Sequence, residues 1–193
     1  MNTRYSAFVV VLAALYVSAC ASYTEQTKEI RRDFRGENYK SSLKKLDKSD
    51  LKTATKDRLL YLLEKAMIQD RLGESKKSRS TLMEADRLAD KLYTVSISKT
   101  ALSFIYNDSA TDYSGEDYER VAIHTQLAMS FIGESDYKAA RVEAAKINNI
   151  LYSINQKYDP KEKNRYAEDA FARYLSGIIY EARGEWDDAI IDY

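Results

Sequence analysis

A chain of 193 residues is long enough for one ordinary domain with a core of its own, and 45% apolar with 31% charged residues excludes disorder. One proline and six glycines point away from a turn-rich all-β fold, while 30 basic against 30 acidic residues leave no charge bias toward nucleic acid. A single cysteine excludes an intramolecular disulfide and a thiolate metal cluster.

The first segment is an export signal. Met1 to Arg4 is short and basic, Ala7 to Val17 is an uninterrupted apolar run, and Val17-Ser18-Ala19-Cys20 follows at once. The run is about half the roughly 20 residues that a spanning helix needs, so a permanent transmembrane anchor is not expected. The tetrapeptide resembles the bacterial lipobox: an aliphatic residue, two small ones and the cysteine. The resemblance implies that Cys20 carries diacylglycerol by a thioether and that cleavage falls before it. Two or three acyl chains, at about 0.8 kcal/mol per buried CH₂, anchor stably where one would not. Residues 1–19 are then the cleaved signal, 20–25 the lipidated tether and 26–193 the helical domain. Loss of Arg4 leaves 29 basic against 30 acidic residues. Ala21 and Ser22 follow the cysteine, with no Asp directly after it, which in Gram-negative lipoproteins implies the outer membrane, facing the periplasm.

Beyond the tether, small, aromatic and turn residues recur. A half-copy stands at Tyr39, Ser42, Leu43 and Leu46, before a lysine run at Lys40, Lys44, Lys48, Lys52 and Lys56. Asp47, Ser49 and Asp50 mark a turn inside that run, so the lysines read as a solvated face and not as one membrane stripe. A weak copy follows at Ala66, Gly73, Ser78, Leu82 and Ala85, with Ser75 at the aromatic position. Thr94 to Asp112 is an insertion, where Val95, Ala101, Leu102, Ile105 and Tyr106 share much of a helical face and predict one extra helix. Ser114-Gly115-Glu116-Asp117 has the form of a helix start and predicts a helix to about Ile132. The next copy is Ala128, Phe131, Ser135, Tyr137, Ala140 and Ala144. A second insertion, Ser153 to Asn164, closes on Asp159-Pro160-Lys161-Glu162 and predicts a helix from Pro160. The clearest copy ends the chain: Gly177, Tyr180, Gly184, Trp186, Ala189, Ile190 and Tyr193.

These offsets resemble those of a tetratricopeptide repeat. Gly177 and Ala189 lack bulk where two helices cross, Gly184 turns the chain, and Tyr180 and Trp186 fill the space beside the crossing. Anchors at Tyr39, Ser75, Tyr137 and Trp186 lie 36, 62 and 49 residues apart, against about 34 in a regular array. The fold class expected is therefore all-α, an irregular TPR-like solenoid of helical hairpins. The stretch Tyr113 to Arg120, with Asp136-Tyr137 and Ala140 to Ala144, is similar to an uncharacterised family of TPR-like lipoproteins of Gram-negative bacteria. That similarity implies an architecture and a location, not a reaction. The last copy stops within its second helix, which suggests a longer protein.

Candidate partner-binding residues are Tyr113, Glu116, Asp117, Tyr118, Arg120 and Arg141. The ordinary alternative for the acids is a charged helix start, with Glu116 and Arg120 at the spacing of a surface ion pair. His124, the only histidine, excludes a Ser-His-Asp or multi-histidine metal site within the chain and reads as a packed ring. The sixteen tyrosines serve a core or a peptide groove. No P-loop, G-x-G-x-x-G, H-E-x-x-H or G-x-S-x-G occurs. The expectation is a lipid-anchored scaffold for an envelope protein or peptide, without cofactor, metal, nucleic acid or catalysis. The alternatives are a regulatory lipoprotein that activates a cell-wall synthase or hydrolase, and a hydrolase using carboxylates or a domain beyond Tyr193.

Overall fold

The structure, a computed structural model, describes residues 23–100, 112–157 and 168–193. The lipobox Val17–Cys20, the apolar residues Ala101, Leu102, Ile105 and Tyr106, and the helix start at Pro160 lie outside the described residues. Within them the chain is helical, with no strand. The helices are α1 Tyr23–Arg35, α2 Tyr39–Leu46, α3 Arg58–Arg71, α4 Ser75–Thr100, α5 Asp117–Gly133, α6 Tyr137–Lys157, α7 Ala170–Ala182 and α8 Trp186–Asp192. No helix among the described residues is long and apolar enough to cross a membrane.

Where one domain was expected, the chain divides into two compact units between Ser49 and Asp50. The first holds α1 and α2; α1 begins at Tyr23, inside the stretch read as tether. The second holds α3 to α8. Two 3₁₀ turns, Asp50–Lys52 and Thr55–Asp57, lead into α3. Of the lysine run, Lys40 and Lys44 thus sit on α2, while Lys52 and Lys56 sit in these two turns.

Four helix pairs share one turn. After α1, α3, α5 and α7 the chain turns on Glu37, Gly73, Ser135 and Gly184, with φ of 59°, 74°, 60° and 73°. The amide of the following residue donates five residues back: Asn38 to Asp33, Glu74 to Gln69, Asp136 to Phe131 and Glu185 to Tyr180, all at 2.8 to 2.9 Å. The turn residue itself donates three back, to Phe34, Asp70, Ile132 and Glu181. Both bonds together make a Schellman cap, which satisfies the orphan carbonyls of each first helix and reverses the chain.

Seven residues before each turn centre stand Ile30, Ala66, Ala128 and Gly177; five after it stand Ser42, Ser78, Ala140 and Ala189. All eight are buried. In the first two pairs the serine hydroxyl donates to the carbonyl of its partner position, Ser42 to Ile30 at 3.0 Å and Ser78 to Ala66 at 2.8 Å. In the last two the position is alanine, which has no hydroxyl to donate, and Ala128, Ala140 and Ala189 lie in one buried apolar cluster. The half-copy at Tyr39 is thus a whole pair whose first helix, α1, carries Ile30 where the others carry a small residue.

Within the second unit, α4 packs on α5 and α6 on α7, so each pair meets the next. Ala128, Ala140 and Ala144 join Leu175, Ile179, Tyr180 and Ala189 in one buried cluster, and Val121, Ile147, Leu151, Ile154 and Ala172 form another. Removing such apolar surface from water stabilises by roughly 25 cal/mol per Å². Thr94 to Thr100 continues α4 and does not begin a separate helix, and Ser153 to Lys157 likewise ends α6.

Candidate functional site

The α5 start differs from its expected register. Helix α5 is capped by Glu116, and Glu116 and Glu119 form the reciprocal capping box, with the Glu116 amide donating to Glu119 Oε2 at 2.9 Å. Ser114 and Asp117 do not. The reason lies upstream: Gly115 takes φ +86° close against Leu59, the Tyr113 amide donates to the Lys56 carbonyl at 2.8 Å, and the Tyr113 hydroxyl donates to Glu119. Burial, and then the Glu119 carboxylate, push the Tyr113 phenol well above its ordinary range.

The candidate partner-binding residues are mostly engaged inside the molecule. Asp117 pairs with Lys157 of α6 at 3.3 Å. Arg120 pairs with Asp90 at 2.9 Å and stacks over the Tyr93 ring at 4.2 Å, so the expected Glu116–Arg120 pair is replaced by one between helices. Arg141 binds Glu185 at 3.0 Å and lies over Tyr180, which raises the arginine further above its usual range through the Glu185 hydrogen bond. Tyr118 is exposed. Of the residues assigned to packing, Ala128, Ala140, Gly177, Tyr180 and Ala189 are buried and Phe131 is partly so. Tyr137 and Trp186 stand at the first position of α6 and α8, above the crossing, and Trp186 is 60% exposed. Gly184 turns the chain, while Gly177 faces the Tyr193 ring, which would lie 2.7 Å from an added Cβ.

The junction between α4 and α5 is ionic along its length. Arg79 reaches Glu134 at 2.9 Å and lies over Phe131; Asp86 meets His124; Asp90 meets Arg120. At its centre His124 is buried with Nε2 3.1 Å from Asp86 Oδ1 and Nδ1 2.7 Å from Glu143 Oε2 of α6. Lys146 closes the group, 3.1 Å from Asp86 and 3.7 Å from Glu143. Burial alone would push His124 toward neutrality, yet the two carboxylates outweigh it and raise the ring above its ordinary value. Burial would likewise raise Asp86; His124 and Lys146 outweigh it and hold that carboxyl at about 2. Sequence reasoning found only a packed ring here, because Asp86, His124 and Glu143 come from three helices and share no spacing. No group of three or more His, Cys, Asp or Glu among the described residues is arranged to hold a metal.

An exposed apolar row is the other feature. One residue beyond the small position of α3, α5 and α7 stand Met67, Met129 and Ile178, exposed by 54%, 36% and 38%. On α7 the row widens, since Phe171 and Tyr174 precede Ile178 at helical spacing and are also exposed. Each first helix of the second unit therefore presents an apolar side chain to water at the same register position, whereas α1 carries Arg31 there. Comparisons with protein families, with curated proteins and with solved structures gave no match.

Proposed function

We propose that the chain is a lipid-anchored scaffold of the cell envelope whose TPR-like hairpins hold an apolar segment of another envelope protein. One observation carries this reading: Met67, Met129 and Ile178 repeat at one register position of three successive first helices and are left in water. Isolated exposed apolar residues are ordinary, but a repeated set marks a surface for association. The contacts that Tyr113, Glu116, Asp117, Arg120 and Arg141 make within the molecule support assigning binding to this row and structure to the charged start of α5.

The scaffold reading involves no cofactor and no catalysis. Anchoring through Cys20, after cleavage of residues 1–19, supplies the membrane attachment, and the missing Asp after Cys20 favours the outer membrane facing the periplasm. Replacing Met67, Met129 and Ile178 together by lysine should abolish partner recovery from detergent-solubilised envelopes and leave the helical circular dichroism unchanged. Undiminished recovery would refute the assignment of the row. Cys20→Ser should abolish labelling by radioactive palmitate, and a variant that still labels would refute the anchor.

A further inference from the structure

A neutral imidazole carries one proton on two nitrogens, and an ionised carboxylate only accepts. Both nitrogens of His124 meet carboxylate oxygens, at 2.7 Å to Glu143 and 3.1 Å to Asp86. Only the imidazolium ion satisfies both. A neutral ring would set a lone pair against an anionic oxygen in a site almost closed to water, where an unmet polar group is costly.

The charged groups around the ring come from every helix packed against it. Helix α4 supplies Asp86 and, one turn further, Asp90; α5 supplies Arg120, which is held by Asp90 at 2.9 Å; α6 supplies Glu143 and Lys146. Asp86, Glu143, Lys146 and a protonated His124 sum to zero charge, and loss of the proton leaves a net negative site. The two bonds are not equal. Glu143 belongs to the same hairpin as His124 and lies closer, whereas Asp86 belongs to the preceding hairpin. A neutral ring keeps the nearer partner and gives up the other.

We infer that protonated His124 is the pin that fastens the α3/α4 hairpin to the α5/α6 hairpin, and that this junction loosens when the ring gives up its proton. The sign follows from linkage: the contribution is complete below the pH at which a free histidine titrates, near 6.5, and is lost as pH rises through the higher value of the folded chain. Helices α3 and α5 lie on opposite sides of the junction, so its state sets the spacing of Met67 and Met129.

His124 is the only histidine in the chain, so long-range ¹H–¹⁵N NMR of the labelled intact protein reads a single ring. At pH 7 both nitrogens should show imidazolium shifts, with a titration midpoint above 6.5. Amide exchange over residues 82–93 and 120–127, corrected for its intrinsic pH dependence, should quicken about tenfold through that same midpoint. Asp86→Asn should lower the midpoint by about one pH unit or more. If that variant does not fold, the titration and exchange of the unmodified chain decide alone. A ring already neutral at pH 7, or exchange that does not follow the ring, would overturn the inference.

Discussion

The four Schellman turns carry different residues in one conformation, and that difference yields a pair of predictions with opposite sign. Holding an L-residue in the left-handed region costs roughly 1–2 kcal/mol, while glycine forfeits roughly 0.5–1 kcal/mol of backbone freedom when it orders. The balance favours glycine by about 0.5–1 kcal/mol per turn. Ser135, at φ 60°, and Glu37, at φ 59°, bear the cost; Gly73 and Gly184 avoid it. A Cβ added at Gly73 or Gly184 would meet nothing within 4 Å, so the conformational term acts alone there. Gly73→Ala and Gly184→Ala should each destabilise by about 0.5–1 kcal/mol, and Ser135→Gly should stabilise by a similar amount. In urea, with a slope of about 2 kcal/mol/M, each change moves the midpoint by about 0.25–0.5 M at constant slope. Neutral alanine variants, or a Ser135→Gly variant of lower midpoint, would refute the shared turn.

Three further outcomes follow from the same geometry. Asp86 is held at about 2, so its contribution of about 2 kcal/mol is present above pH 3.8 and lost as pH falls through 2; Asp86→Asn should flatten the stability profile over that interval, measured by urea unfolding at stepped pH. Asp192 is buried and accepts from Arg173 at 3.0 Å and Asn148 at 2.8 Å. Asp192→Ala should therefore cost about 1.5–3 kcal/mol, the range for hydrogen bonds to a charged group, and a loss below 1 kcal/mol by thermal melting would contradict the buried network. Gly177→Ala should stay within about 1 kcal/mol of the parent, because the atoms its Cβ would meet belong to the exposed ring of Tyr193, which can swing away.

Much of the hairpin plan was readable in residues. Gly73 and Gly184 announce left-handed turns because glycine alone adopts them freely, and Ala66, Ala128, Ala140 and Ala189 announce close crossings because bulk would hold the helices apart, whereas Gly177 faces the Tyr193 ring. Glu37 and Ser135 occupy the same turn without a distinguishing side chain, and Ile30 fills a position where a small residue was sought. Helix α1 was missed for that reason. The capping register at α5 was misplaced by two residues because Ser114 is the stronger cap by type, while Gly115 and Tyr113 decide where the helix enters. Pairs such as Asp86–His124 or Arg79–Glu134 were not legible, since they depend on which helix faces which. The exposed row was not legible either: Met67 and Ile178 look like core residues until their register is compared across helices.

The most direct measurement is site-specific photo-crosslinking in living cells, with a benzophenone amino acid placed singly at Met67, Met129 and Ile178 and, as controls, at the exposed second-helix residues Val142 and Tyr152. The scaffold account predicts adducts to one and the same envelope protein from the three first-helix positions and none from the controls. Adducts from the controls alone, or different partners at each of the three positions, would contradict it.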